Sequence, residues 1–347
     1  MSSVTRRLFL AASAALAACG RPAQPGAKGA DRRVHVYSAR HYDADKAVYD
    51  LFKREKGIEV RVLPAPGDQL IERLRQEGDQ TEADLIVTVD GGNLWRLTEA
   101  GLLQGVTTPV LEAAVPSRFH DPQGRWWAFS KRIRVIVYRK DAVDPALLGS
   151  MDDLIQPRFA GQICARSSNN TYNLSMLAAR IEQNGRENAL AWARAMRGNF
   201  AHAPRGNDID QIRAVAAGEC QATIVNHYYL LRFRTSNNPA DRAIADKLGV
   251  IIPEQRRGGV HVNISGAGVS AYAKRKAEAV ELLEFLLSPQ AQHLFAELNN
   301  EFPIRPDVQL TPGLAELGRF HEEQIPFDAL GRRQAEAARV YEEAGWL

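Results

Sequence analysis

Four tyrosines stand where strand-like segments give way to helical ones. Tyr228 and Tyr229 are adjacent in Ala222-Thr-Ile-Val-Asn-His-Tyr-Tyr-Leu-Leu-Arg232. Tyr42 follows the alternating run Val34-His-Val-Tyr37 in Ser38-Ala-Arg-His-Tyr42, and Tyr172 closes Cys164-Ala-Arg-Ser-Ser-Asn-Asn-Thr-Tyr172. Phenolate is a hard anionic oxygen donor, suited to a small trivalent cation better than thiolate or thioether. Free tyrosine titrates near pH ~10, so ligation must displace a proton, which a +3 ion does better than a +2 ion. Tyrosine-rich ligation therefore favours Fe3+, with Fe2+ as a minor reading. A Tyr-Tyr pair alone is more often core or interface packing. What points to a site is the shared placement: in an open α/β sheet the carboxyl ends of the strands line the ligand crevice, so side chains at those exits converge.

Positioning such a cluster sets conditions on the chain. Adjacent residues of a regular strand face opposite sides, so the backbone must bend for Tyr228 and Tyr229 to share one ion, as it would where a strand passes into Leu230-Leu-Arg-Phe. His41 and Tyr42 face the same constraint. From Val34 to Val89 the pattern reads strand, helix, strand, helix, strand, a parallel βαβαβ unit. Its first helix is capped near Asp43, striped by Val48, Leu51 and Phe52, and stopped at Gly57. Two long extended runs, Gly124 to Tyr138 and Asn263 to Tyr272, are long enough to leave one lobe and return to it, which makes a hinge. The expected fold is α/β and two-lobed, each lobe a mostly parallel sheet flanked by helices. Residues 33–130 with 262–305 form the first lobe, and residues 131–261 with 306–347 form the second.

The 347 residues carry a formal charge of +3, and the only charged residues of the leader are Arg6 and Arg7, whose removal leaves +1. That argues against an extended nucleic-acid surface and for a small ligand. Residues 1–18 have the charged start and short apolar stretch of an export signal. Thr5-Arg-Arg-Leu-Phe-Leu10 fits either a twin-arginine leader or an ordinary one with two chance arginines. Leu16-Ala-Ala-Cys19 looks like a lipoprotein box, which would make Cys19 the lipidated first residue and residues 19–32 a Pro/Gly/Ala-rich tether. Cys164 and Cys220 then remain in an oxidising compartment. They read equally as a disulfide tying two walls of the site or as two separate buried thiols.

Taken together, these segments resemble a bacterial extracytoplasmic solute-binding protein of an ABC importer, of the ferric-iron-binding family. The resemblance spans nearly the whole mature chain and rests on Ser38-Ala-Arg-His-Tyr42, Ala83-Asp-Leu-Ile-Val-Thr-Val-Asp90, Ser150-Met-Asp-Asp-Leu154, Phe159-Ala-Gly-Gln-Ile163 and Arg166-Ser-Ser-Asn-Asn170. It continues in Asn226 to Arg232, Ser265-Gly-Ala-Gly-Val-Ser270 and Glu284-Phe-Leu-Leu-Ser-Pro-Gln-Ala-Gln292. It implies a type II periplasmic-binding fold that carries Fe3+ as transported ligand on Tyr42, Tyr172, Tyr228 and Tyr229, with His41 as a further ligand in some members. It also implies an extracytoplasmic protein, expected as a monomer, that serves the transmembrane subunits of an ABC permease; the lipoprotein box adds anchoring to the membrane, and the low net charge speaks against nucleic acid.

Four phenolates and Fe3+ sum to minus one, so a compensating cation is expected. Arg132 and Arg232 match arginines near the family's site, although each also reads as a surface salt bridge. Ser167 and Asn170 lie in a run that opens a helix and offers backbone N–H groups to an anion, or simply caps the helix. His227 stands where a small polar residue would be expected. Two other functions compete with metal capture. One is binding of a polyatomic anion or organic solute without metal. The other is a lipid-anchored hydrolase or transferase, against which stands the lack of any Gly-x-Ser-x-Gly, His-Glu-x-x-His, Walker or GxGxxG motif.

Overall fold

The computed structural model describes residues 32–40 and 42–347. The leader, Cys19, the tether up to residue 31 and His41 lie outside the described residues. The chain opens with β1 (Arg33–Ser38), α1 (Asp43–Lys56), β2 (Glu59–Pro64), α2 (Gly67–Glu77), β3 (Leu85–Val89), α3 (Gly91–Glu99) and α4 (Pro109–Ala114). Helix α1 forms where Val48 and Phe52 repeat at helical spacing. Asp43 and Asp45 sit in its first turn, Lys53, Arg54 and Lys56 in its last, each sign matched to the helix dipole. It stops at Gly57, whose φ of 67° is open to glycine at little cost.

The long strand β4 (Trp127–Arg139) leads to β5 (Ile163–Cys164), α5 (Thr171–Asn184), α6 (Arg186–Gly198), α7 (Asp208–Ala217), β6 (Ala222–Asn226), α8 (His227–Arg234), α9 (Pro239–Asp246) and β7 (Leu248–Ile251). The return strand β8 (Val262–Val269) is followed by α10 (Lys276–Leu286), α11 (Pro289–Asn299), β9 (Phe302–Pro303), α12 (Pro312–Ala315), α13 (Phe327–Arg332) and α14 (Gln334–Glu343).

The strand order is β2-β1-β3-β8-β4-β6-β5, with β7 and β9 also paired to β4. Strand β1 runs parallel to β2 and β3, and β5 runs parallel to β6. The two crossing strands are antiparallel to their neighbours. Where the sequence pattern suggested mostly parallel sheets, each sheet is therefore mixed, because a chain that crosses a hinge and comes back must insert strands of opposite direction. Strand β4 serves both lobes: Trp127 to Ile133 pair with β8, and Arg134 to Tyr138 pair with β6.

One hydrophobic core packs α1, α2, α10 and α11 against β1, β3 and β8, through side chains such as Val36, Phe52, Ile86, Phe285 and Phe295. A second, around Ile136, Met176, Trp192, Phe200, Tyr341 and Trp346, lies under α5, α6 and α14. Helix α13 packs against both α3 and α5, so the segment after residue 306 touches both lobes.

Candidate metal centre

Tyr42 is the last residue before α1, in extended conformation, and leaves the first lobe at the end of β1. Tyr172 lies in the first turn of α5, whose N-cap Asn170 accepts a hydrogen bond from the Tyr172 backbone N–H at 3.1 Å. Tyr228 and Tyr229 lie in the first turn of α8, which starts immediately after β6. The required bend thus falls two residues before the pair, and helical geometry, about 100° per residue, lets neighbouring side chains share one side.

Three phenol oxygens converge across the lobes. Tyr42 Oη lies 3.3 Å from both Tyr172 Oη and Tyr228 Oη, and Tyr228 Oη donates to Tyr172 Oη at 3.4 Å. Asn226 Nδ2 donates to Tyr228 Oη at 3.1 Å. The Tyr229 ring lies 4.4 Å from that of Tyr228 and remains half-buried, on the solvent side of the cluster. Burial, followed by repulsion from the Tyr172 charge, pushes the Tyr42 and Tyr228 phenols well above their ordinary value. The same two causes push Tyr229 up to about 12. These three phenols are neutral at physiological pH unless a cation displaces their protons.

Cations surround the rings. The Arg232 guanidinium sits over the rings of Tyr42, Tyr228 and Tyr229 at 5.4, 5.2 and 5.5 Å and donates to Asn299 Oδ1. Arg132 is wholly buried, 5.8 Å from the Tyr172 ring centroid, and its Nε and Nη1 have no hydrogen-bond partner. The surface salt bridge offered for it by sequence is therefore excluded. Arg40, also buried, lies 4.7 Å from the Tyr42 ring centroid.

Behind these guanidiniums stands Glu301, fully buried. Its carboxylate accepts from Arg40 Nη1 at 3.1 Å, Arg40 Nη2 at 2.9 Å and Asn299 Nδ2 at 2.8 Å, and lies 3.5 Å from Arg132 Nη2. Burial alone would raise its pKa; the charges of Arg40 and Arg132 outweigh that and hold it down to about 2. Asp45 grips the other side of Arg40 at 2.8 Å. The sequence reading missed Glu301, Arg40 and Asn299. The one local signal is a polar triplet, Asn299-Asn-Glu301, wedged between the apolar face of α11 and Phe302.

Ser167 Oγ bonds Asn169 Oδ1 at 2.8 Å, beside the helix cap. His227 is buried, and both its ring nitrogens are occupied. Its Nδ1 accepts from the Ile133 N–H at 3.2 Å and its Nε2 donates to the Asn300 carbonyl at 2.8 Å. Burial lowers its pKa to about 4, so it is a neutral tie between α8 and the triplet, with no lone pair left for a metal. Cys164 and Cys220 are joined by a disulfide with a Cα–Cα distance of 5.7 Å. Cys164 lies on β5, whose exit carries Tyr172, whereas Cys220, expected on a strand, lies in the turn between α7 and β6, two residues before the strand whose exit carries the Tyr228–Tyr229 pair. Asp90 holds a φ of 83° at the start of α3; its carboxylate accepts from Asn263 Nδ2 at 2.7 Å and from Ser175 Oγ of α5. Among the described residues no group of three or more His, Cys, Asp or Glu is placed to hold a metal ion. A cavity of about 450 Å3 opens beside the centre, between Asp68, Asn93 and Arg96 on one side and Asn169, Thr171 and Gln334 on the other.

Two lobes, two crossing strands and a site between them are the architecture of a solute-binding protein. Residues 80–321 match the family described as bacterial extracellular solute-binding protein. Over 358 aligned residues, 100% of this chain and 99% of the relative, the chain is 39% identical to iron uptake protein A1 of Synechocystis sp. (strain ATCC 27184 / PCC 6803 / Kazusa). Among solved structures it resembles the Trichodesmium protein IdiA (FutA) in complex with iron and citrate ligands, with TM-score 0.86 and 42% identity over 91% of this chain and 100% of that one. The ferric binding protein from Campylobacter jejuni superposes with TM-score 0.86 at 37% identity, covering 90% and 100% of the two chains. The chain belongs to this family of ferric-iron-binding, non-enzymatic solute-binding proteins of ABC iron uptake.

Proposed function

We propose that the protein captures Fe3+ in the cleft between its lobes on the phenolates of Tyr42, Tyr172, Tyr228 and Tyr229, with His41 as a further ligand, and delivers it to an ABC permease. The observation that carries this reading is the triangle of phenol oxygens, 3.3 to 3.4 Å on a side, drawn from both lobes. Oxygens bound to a small hard cation at ~2.0–2.1 Å stand about 2.9 Å apart at right angles and about 3.5 Å apart at 120°. The observed edges fall in that range. Phenols packed this closely gain little from one another, whereas a trivalent ion at their centre supplies the charge that pulls off phenol protons. Arg132 and Arg232 then balance the excess negative charge, and Ser167 and Asn170 shape the helix start that presents Tyr172.

In this reading residues 33–130 with 262–305 make the first lobe and residues 131–261 with 306–347 the second, with α13 bridging them. Residues 1–18 direct export, Cys19 carries the lipid, and the tether lets a monomer reach the permease from the membrane surface. The test is optical. Apo-protein mixed with ferric nitrilotriacetate should develop a phenolate-to-iron charge-transfer band in the visible and keep the iron through buffer exchange. A colourless protein that loses its iron on exchange would sink the proposal.

A further inference from the structure

Among the described residues the charges packed around the phenols can be counted. Arg40, Arg132 and Arg232 contribute three positive charges, and Asp45 and Glu301 two negative ones. The next charges outward cancel: Asp208 is gripped by Arg134 and Arg166, and Asp90 stands alone as a carboxylate. One positive charge is thus left to meet the ion and its ligands. Four phenolates around a trivalent ion carry one negative charge, so the sealed site is neutral. Around a divalent ion the same ligands carry two, and the site is left one charge short.

From this count we infer that Glu301 is the specificity-determining residue that sets the site's preference for a trivalent over a divalent cation. The inference rests on the phenolate reading above and deepens it. Glu301 is suited to the role by its place. It touches none of the tyrosines, yet it bonds the guanidinium stacked on Tyr42 and pairs with the one beside Tyr172, from a position closed to solvent. Water and salt do not screen a charge there as they do at a surface. Any cation held by the phenols feels the Glu301 charge in proportion to its own, so losing that charge penalises a +3 ion more than a +2 ion. Asp45 binds the same Arg40 from the first turn of α1, but where Glu301 pairs with both Arg40 and Arg132 it pairs with Arg40, which makes it a control of equal charge on one guanidinium.

The test measures the ratio of Ga3+ to Zn2+ affinity, each ion competed against nitrilotriacetate, so that redox chemistry plays no part. At an effective dielectric of about 20 and a separation of about 8 Å, one unit of charge is worth roughly a thirtyfold change in that ratio. Glu301→Gln should therefore lower the Ga3+/Zn2+ ratio by about ten- to thirtyfold, and Asp45→Asn by less. Adding Arg132→Gln to Glu301→Gln removes the opposing charge and should bring the ratio back toward wild type, a rescue that a purely structural role for Glu301 would not give. Should Glu301→Gln leave too little folded protein, Arg132→Gln alone serves. It should raise the ratio, and the double variant should reverse the rise. Ga3+ retained by both wild type and Glu301→Gln with the ratio unchanged overturns this inference and leaves iron capture standing. Wild-type protein that fails to retain Ga3+ overturns both.

Discussion

Replacing Tyr42 by phenylalanine isolates the first lobe's contribution to the site. The substitution keeps the ring on which Arg40 is stacked at 4.7 Å and removes only the oxygen that meets Tyr172 and Tyr228 at 3.3 Å. Its size follows from proton counting. Every phenol that ligates must release its proton below pH ~10, and burial makes the Tyr42, Tyr228 and Tyr229 protons harder still to remove. At pH 7 to 8 the apo site holds more protons than the loaded one, so affinity rises with pH and falls on acidification. With four phenolates formed, the apparent affinity should change by about ten-thousandfold per pH unit; with three, by about a thousandfold. A pH-stat titration with ferric nitrilotriacetate, corrected for the chelator's own proton exchange, should therefore count close to four protons per iron in wild type and close to three in Tyr42→Phe. The variant also leaves no first-lobe tyrosine on the ion, so uptake no longer ties that lobe to the other through a phenolate. Small-angle scattering should accordingly show iron-dependent compaction in wild type and little in the variant, whose remaining three tyrosines all belong to the second lobe. Four protons released and full compaction in Tyr42→Phe would refute the cross-lobe mechanism.

Tyr228→Phe and Tyr229→Phe should each weaken iron binding by more than about a hundredfold at pH 7.5, through the same proton linkage. Tyr138→Phe, a core change on β4, should leave binding within a factor of about two, and equal losses in all three would show that ring packing rather than ligation was being measured. The Cys164–Cys220 disulfide closes a separation of 56 residues, which in the chain-entropy model stabilises the fold by about 4 kcal/mol. Reduction should lower the denaturation midpoint accordingly, and two alkylatable thiols beyond Cys19 in unfolded, unreduced protein would contradict the bond.

The tyrosines were legible because their signal is local: each follows a strand pattern and precedes a helix pattern within a few residues. The helix start at His227 was not, since its N-cap Asn226 makes no side-chain capping bond and Ile224-Val225 runs on through His227 into Tyr228-Tyr229 with no Gly or Pro to mark the turn. The charge layer was invisible for a different reason. Glu301 meets Arg40 across 261 positions of sequence and Arg232 meets Asn299 across 67, so nothing in either neighbourhood marks them as partners. Arg132 and Arg232 were found only through the family resemblance. Burial decides their role, and in a chain with 44 Lys and Arg no pattern singles out the two or three that lie under the site.

The placement of Arg132 and Arg134 on β4 puts two buried guanidiniums under the site on the strand that both lobes share. Arg132 and Arg134 are two residues apart, so they point to the same face of the strand, and both are buried. They straddle the point where β4 passes from pairing with β8 to pairing with β6. Arg132 is anchored toward the first lobe by Glu301, whereas Arg134 is anchored toward the second by Asp208 at 3.1 Å and Asn173 at 2.9 Å. Asn173 directly follows Tyr172, and Asp208 lies among the charges that act on Tyr229. Arg132 thus faces Tyr172 from the part of β4 that pairs with β8, while Arg134 is held by Asp208 and Asn173 from the part that pairs with β6. Burying those two guanidiniums is costly, and the carboxylates of Glu301 and Asp208, buried with them, offset that cost within the fold itself.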